Sequence, residues 1–180
     1  RGSITGHAGN NDSTEVGGLI GDSNSLVVVR DVVILADLAS LTNDRLGGLF
    51  GSVDMADIAR VRIEGNITGG EDDVGGVIGV AGEQDEATDV VTMTDVVVTG
   101  NVKARRDVGG LIGQSDVPIF LHRVQFNASL DGTGGDGFGN DMGGLIGLLT
   151  GPRLGVREAS VEGSLLGRDV VGGVIGHVNV

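Results

Sequence analysis

The apolar residues of this chain recur in two patterns. In the first, apolar and variable residues alternate and then meet a small residue and a short polar one. The clearest copies are Val61-Arg62-Ile63-Glu64-Gly65-Asn66-Ile67 and Val96-Val97-Val98-Thr99-Gly100-Asn101-Val102. Val124 to Leu130 obeys the same rule, and Ala159 to Leu165 keeps it with Ala in first place. Val32 to Leu38 is a more divergent copy, and Gly2-Ser3-Ile4 matches the end of one. Alternation with a period of two predicts strands. The Gly or Ala predicts a corner where the backbone bends or a side chain would clash. The polar residue that follows is Ser3, Asp37, Asn66, Asn101, Ser129 or Ser164. Such side chains either bond one another from coil to coil as an internal ladder or merely tolerate the turn.

The second pattern is a short glycine motif present six times: Gly17-Gly18-Leu19-Ile20-Gly21, Gly47-Gly48-Leu49-Phe50-Gly51, Gly75-Gly76-Val77-Ile78-Gly79, Gly109-Gly110-Leu111-Ile112-Gly113, Gly143-Gly144-Leu145-Ile146-Gly147 and Gly172-Gly173-Val174-Ile175-Gly176. An apolar residue precedes every copy, and the spacings are 30, 28, 34, 34 and 29 residues. A motif at such a period predicts stacked repeats that bury their apolar sides only against their neighbours. Between each motif and the next alternating strand lie further strand-like pieces: Leu26 to Val29, Asp89 to Thr94 and Pro118 to Leu121. Gly69 to Asp73, Ala81 to Ala87 and Gly132 to Asp141 vary in length from copy to copy and read as loops. The fold expected is all-β, a parallel β-solenoid of about six coils with roughly 30 residues per coil. Residues 1–180 are expected to form a single repeat array that starts and ends within a repeat. At the ordinary strand spacing of about 4.8 Å, six coils make a rod roughly 29 Å long. With 35 glycines, no long window carries a helical period. A β-propeller is disfavoured by 2% aromatics without Trp or Tyr.

The glycine motif resembles the GLUG repeat, named for its Gly-Leu-hydrophobic-Gly core, and the resemblance spans all six units. GLUG repeats occur in large bacterial surface proteins, among them adhesins and the non-catalytic regions of immunoglobulin A-cleaving metallopeptidases. The resemblance implies a secreted or surface-displayed solenoid and brings no catalytic residue with it.

Composition narrows the partners. The net charge is −13 and the isoelectric point about 4.3, which repels nucleic acid and anionic membranes. Lys103 is the only lysine beside eleven arginines. Abundant Asp and Glu with almost no Lys suits high salt, where self-repulsion is screened. A salt-loving source, such as a haloarchaeon, is one reading, and an ordinary acidic surface protein is the other. There is no cysteine, hence no disulfide or thiolate chemistry. No apolar run is long enough for a membrane-spanning helix. Both ends of the sequence read as open strand edges. They suggest either a segment of a longer surface protein or a subunit that stacks head to tail, His177-Val178-Asn179-Val180 against Arg1-Gly2-Ser3-Ile4.

The candidate sites are few. Asp131, Asp136, Asn140 and Asp141 supply hard oxygens on a Gly-rich stretch, the ligands Ca²⁺ takes. Their irregular spacing fits a plain acidic insertion better. Gly132-Thr133-Gly134-Gly135-Asp136-Gly137 matches the dinucleotide fingerprint in letters but lacks the helix that fingerprint needs. Asn11, Asn66 and Asn127 begin glycosylation sequons, with Asn11 and Asn127 the better acceptors. Asp31, Arg60, Asp95, Arg123 and Glu158 hold equivalent places before the alternating strand, a mixed-sign stripe best explained by ion pairs between coils. His7, His122 and His177 share no ligand spacing. No catalytic residue stands out, so the chain is not expected to be an enzyme. The expected function is an extracellular or cell-surface structural solenoid, a filament subunit or a stalk or adhesin segment. The expected partners are copies of itself, neighbouring coils of a longer chain, or a surface glycan. A carbohydrate-binding or carbohydrate-active module is the alternative, and scarce aromatics argue against it.

Overall fold

The computed structural model describes residues 2–6, 14–40, 44–70, 72–82, 89–133 and 141–179. Every regular element among them is a strand, and every pairing is parallel and in register from one repeat to the next. The chain is a parallel β-solenoid with five complete turns and a partial first one, as the repeat predicts.

Each complete turn begins with a long strand: Val27–Ser40, Ala56–Glu64, Val91–Thr99, Ile119–Asn127 and Leu154–Glu162. A corner leads to a short strand, Ile67–Thr68, Val102–Lys103, Leu130–Asp131 or Leu165–Leu166. In the first complete turn the long strand itself rounds this corner, and Gly2–Gly6 pairs with its end, Gly2 on Ala36 and Ile4 on Leu38. Two six-stranded sheets complete the cross-section. One holds Thr14–Gly17, Asp44–Gly47, Val74–Gly75, Val108–Gly109, Asp141–Gly143 and Val170–Gly172. The other holds Ile20–Ser23, Phe50–Val53, Ile78–Ala81, Ile112–Ser115, Ile146–Leu149 and Ile175–Val178.

The glycine motif is the arch between these last two sheets, and its three glycines are small for three different reasons. A Cβ on the first would strike the carbonyl oxygen three residues on, at 1.9 Å for Gly75 on Ile78. A Cβ on the second would strike the same glycine of the next coil, at 2.1 Å for Gly76 on Gly110 O. A Cβ on the third would strike backbone of the facing sheet, at 2.6 Å for Gly113 on Val74 N. The arch therefore closes two sheets backbone to backbone, nearer than sheets that pack through side chains. The residues between the glycines, such as Leu49, Phe50, Val77, Ile78, Leu111 and Ile112, are completely buried. They fill the core with Ile58, Ile63, Met93, Val98 and Phe126 from the long strands.

The long strands change parity midway. Val91 and Met93 point inward, and so do Val96 and Val98, an odd step that a continuous strand cannot make. The extra residue is Asp95. It and its equivalents Asp31, Arg60, Arg123 and Glu158 are skipped in the strand pairing and adopt the left-handed conformation, with φ between 50° and 57°. Non-glycine residues seldom sit there. Here the five stack as an alternating row of charges. Arg60 donates two hydrogen bonds to Asp31 at 2.6 and 2.8 Å, and Arg123 donates two to Asp95 at 2.5 and 2.8 Å. These bonds hold the carboxyls of Asp31 and Asp95 below the usual range. Arg123→Glu would leave three carboxylates in sequence. It is expected to lower the melting temperature at 0.2 M salt and to do so much less at 3 M, because exposed charges are screened. Equal losses at both salt levels in a thermal scan would mean that the row acts through packing instead.

The corner polar residues do form a ladder, but on the outer surface and not inside. Asp37 Oδ1 accepts the Asn66 N–H at 2.8 Å, and Asn66 Oδ1 accepts the Asn101 N–H at 3.2 Å. Ser164 Oγ donates to Ser129 Oγ at 2.9 Å. Asp37, Asn66, Asn101 and Ser164 are all exposed. The inward places belong to the apolar residues that follow, Leu38, Ile67, Val102 and Leu130.

Candidate functional site

The chemically unusual part of the rod is a row of acids beside the glycine arch. The residue before the apolar lead of each motif stacks on its equivalent: Glu15, Arg45, Asp73, Asp107, Asp141, Val170. At one end Arg45 Nη1 meets Glu15 Oε1 at 3.4 Å. At the other, His177 Nδ1 lies 3.0 Å from Asp141 Oδ2, and Asp141 is only 6% exposed. Between them Asp73 and Asp107 stand coil on coil, about 4.8 Å apart along the rod. Each has its Oδ1 sealed from solvent without a hydrogen-bond partner. Both also have positive φ, 28° and 40°. The third glycines explain how such backbone fits, because Gly113 and Gly147 lie directly against residues 73 and 107.

Burial is the main cause that raises both carboxyls. Asp73 rises to about 6, with the charge of Asp72 adding to burial. Asp107 rises to about 7, with the charges of Asp73 and Asp141 adding to burial. Arg45 on one side and an Asp107 hydrogen bond on the other partly offset the rise at Asp73. Asp72 itself is taken by Arg106, whose Nε is 2.6 Å from Oδ1. The row thus holds protons inside the protein at pH values where free carboxyls have lost them.

The sequence-derived calcium set divides. Asp131 accepts the Thr133 hydroxyl at 2.6 Å and the Thr133 N–H at 3.0 Å, and faces Lys103 Nζ at 3.0 Å. Those donors hold its carboxyl down to about 2. An ammonium already stands where a cation would. Asp141 belongs to the acid row, while Asp136 and Asn140 lie outside the described residues, as does most of the dinucleotide-like stretch. Among the described residues no group of three His, Asp or Glu is placed to hold a metal ion. Asn11 also lies outside them. Asn127 is half-buried, with its Oδ1 shielded and unbonded. Asn66 is exposed and engaged in the corner ladder. The eighteen motif glycines all line the arch.

Sequence reasoning named Asp141, read Asp73 as the end of a loop and did not single out Asp107. The signal available was an acid two places before the first glycine in three consecutive copies.

In class, then, this is a parallel β-solenoid held by glycine arches, with one exposed alternating charge row and one buried acid row. Over 130 residues the chain is 30% identical to Halomucin from the halophile Haloquadratum walsbyi. The matched stretch is 67% of this chain and 1% of that protein. No family model matches the chain, and no solved structure matches it.

Proposed function

We propose that the chain is a rod-forming structural module displayed outside the cell of a salt-loving organism, as a stalk or adhesin segment or as a filament subunit. The observation that carries this reading is the continuity of the stacking. Backbone ladders, glycine arches and side-chain rows each pass from every coil to the next, so the molecule's design is longitudinal. The acidic composition and the halophile relative support the setting. The motif's likeness to the GLUG repeat points the same way. This reading assigns the chain no catalysis, and its principal partners are like coils, in the same chain or in another copy.

The test is antibody labelling of the organism that makes the protein. Labelling of intact cells is expected, and labelling only after permeabilisation would overturn the reading. Electron microscopy of the purified chain at 3 M salt separates the two forms. Regular filaments define a subunit, and isolated short rods define a stalk or adhesin segment.

A further inference from the structure

On the outer side of the long-strand sheet, two rows of side chains border an open depression of about 380 Å³. One wall is Thr92, Phe120 and Gly155, stacked on three successive coils. The other is Thr94, His122 and Arg157 on the same coils. The depression therefore runs along the rod for about 10 Å, two coil spacings.

Its walls differ in chemistry. Phe50 and Phe126 are fully buried, but Phe120 is 39% exposed. Its ring leans onto the bare backbone of Gly155, where a Cβ would come within 2.8 Å of Phe120 Cδ1. Gly155 thus seats the ring and leaves the groove open beyond it. Across the groove the Arg157 side chain is 79% exposed. Its Nε is 3.4 Å from Glu158, which leaves most of its five donors to solvent. His122 is held by Arg123 Nη1, 3.0 Å from its Nε2, and by Glu158 at 3.7 Å. Arg123 itself is spent on Asp95. Thr92 donates its hydroxyl proton to Asp57 at 3.1 Å, so its oxygen faces the groove as an acceptor.

We propose that this groove binds an acidic pyranose residue of a polysaccharide. The C–H face of the sugar lies on Phe120, whose ring face carries negative charge that attracts polarised C–H groups. The carboxylate takes the fork of Arg157, the geometry that suits a guanidinium best. Thr92, Thr94 and His122 meet the hydroxyls. Charge complementarity selects the acidic sugar, because the Arg157 fork keeps donors open to solvent beside its one contact with Glu158. The site is lateral, so it leaves the stacking of the coils untouched and does not depend on where the protein is displayed.

Calorimetric titration of the full chain with oligogalacturonate at 0.3 M and 3 M NaCl tests this, with a neutral dextran oligomer as the comparison. Saturable binding of oligogalacturonate is expected at both salt levels. Phe120→Ala and Arg157→Gln, both on the surface and melting like the parent, are each expected to weaken it at least tenfold at 0.3 M. At 3 M the Arg157→Gln loss should shrink while the Phe120→Ala loss persists. Absence of saturable oligogalacturonate binding, parent-like affinity in either variant at 0.3 M, or equal binding of dextran would each overturn the assignment.

Discussion

Gly110→Ala is expected to lower the melting temperature of this chain by about 10 °C, while Gly173→Ala leaves it unchanged or slightly higher. The two glycines hold the same place in the repeat and differ only in what lies above them. A Cβ on Gly110 would sit 2.1 Å from the Gly144 carbonyl oxygen and 2.7 Å from Phe126 Cγ. The oxygen is backbone in a paired coil and cannot rotate away, and Phe126 is fully buried. Relief requires spreading the two coils, which loosens every ladder bond near the arch, such as Leu111 N to Leu145 O at 2.9 Å. Overpacking of this kind costs on the order of 3 kcal/mol or more. Gly173 has nothing within 4 Å of the added atom. There the loss of chain freedom in the unfolded state acts alone and stabilises by about 0.4–1 kcal/mol. Thermal unfolding of both variants at 3 M salt checks this, with Gly110→Val as a larger version of the first. Similar melting of Gly110→Ala and Gly173→Ala would remove stacking as the reason for the second glycine.

That contrast marks how far the sequence alone reaches. The recurring glycines revealed the stacked repeat, because sterics at a backbone contact admit one residue type whatever the coil, but not that they arch between two sheets. The strands revealed themselves by alternation, and the charge stripe by sign at equivalent places. The parity change at Asp31, Arg60, Asp95, Arg123 and Glu158 was present as the spacing Val91, Met93, Val96, Val98. It reads as two strands because a left-handed residue other than Gly or Asn leaves no compositional trace. The acid row was harder to see, since its place is filled by Glu15, Arg45 and Val170 as well as by aspartates. Depth was also hidden. The corner residues Asn66 and Asn101 looked suited to an internal ladder, yet they lie outside, whereas Asp73, read as a loop end, and Asp107, not singled out, have oxygens sealed from water. The groove at Phe120 depends on Gly155 one coil away, at an outward position where residue type varies freely.

Asp107→Asn is expected to make the protein more stable at pH 8 and to flatten the dependence of its stability on pH. Asp107 has its carboxyl raised from 3.8 to about 7, and its neighbour Asp73 to about 6. Between about pH 4 and pH 7 the folded protein therefore holds protons that the unfolded chain has released. Stability then falls as pH rises through that window, the reverse of the usual carboxylate behaviour. The groups that set the slope all face this row: Asp72, Asp73, Asp116 and Asp141 against it, with Arg45 and the Arg106 that pairs with Asp72 in its favour. His177 closes the far end at Asp141. Asparagine keeps an oxygen for the Asp141 N–H that Asp107 accepts and offers Asp73 an N–H in place of a charge. Because the two acids relieve each other, removing one recovers only part of the cost, on the order of 2 kcal/mol at pH 8. Salt distinguishes this row from the outer one. The sealed oxygens of Asp73 and Asp107 are poorly screened, so the slope should survive at 3 M salt, where the effect of Arg123→Glu fades. Urea unfolding from pH 5 to pH 8 measures it directly. A parent protein equally stable across that range, or an Asp107→Asn variant weaker than the parent at pH 8, would show that the acid row is not under electrostatic strain. A falling parent curve with a flatter variant would make mild acid a stabilising condition for this rod, even though its outer surface is suited to neutral brine.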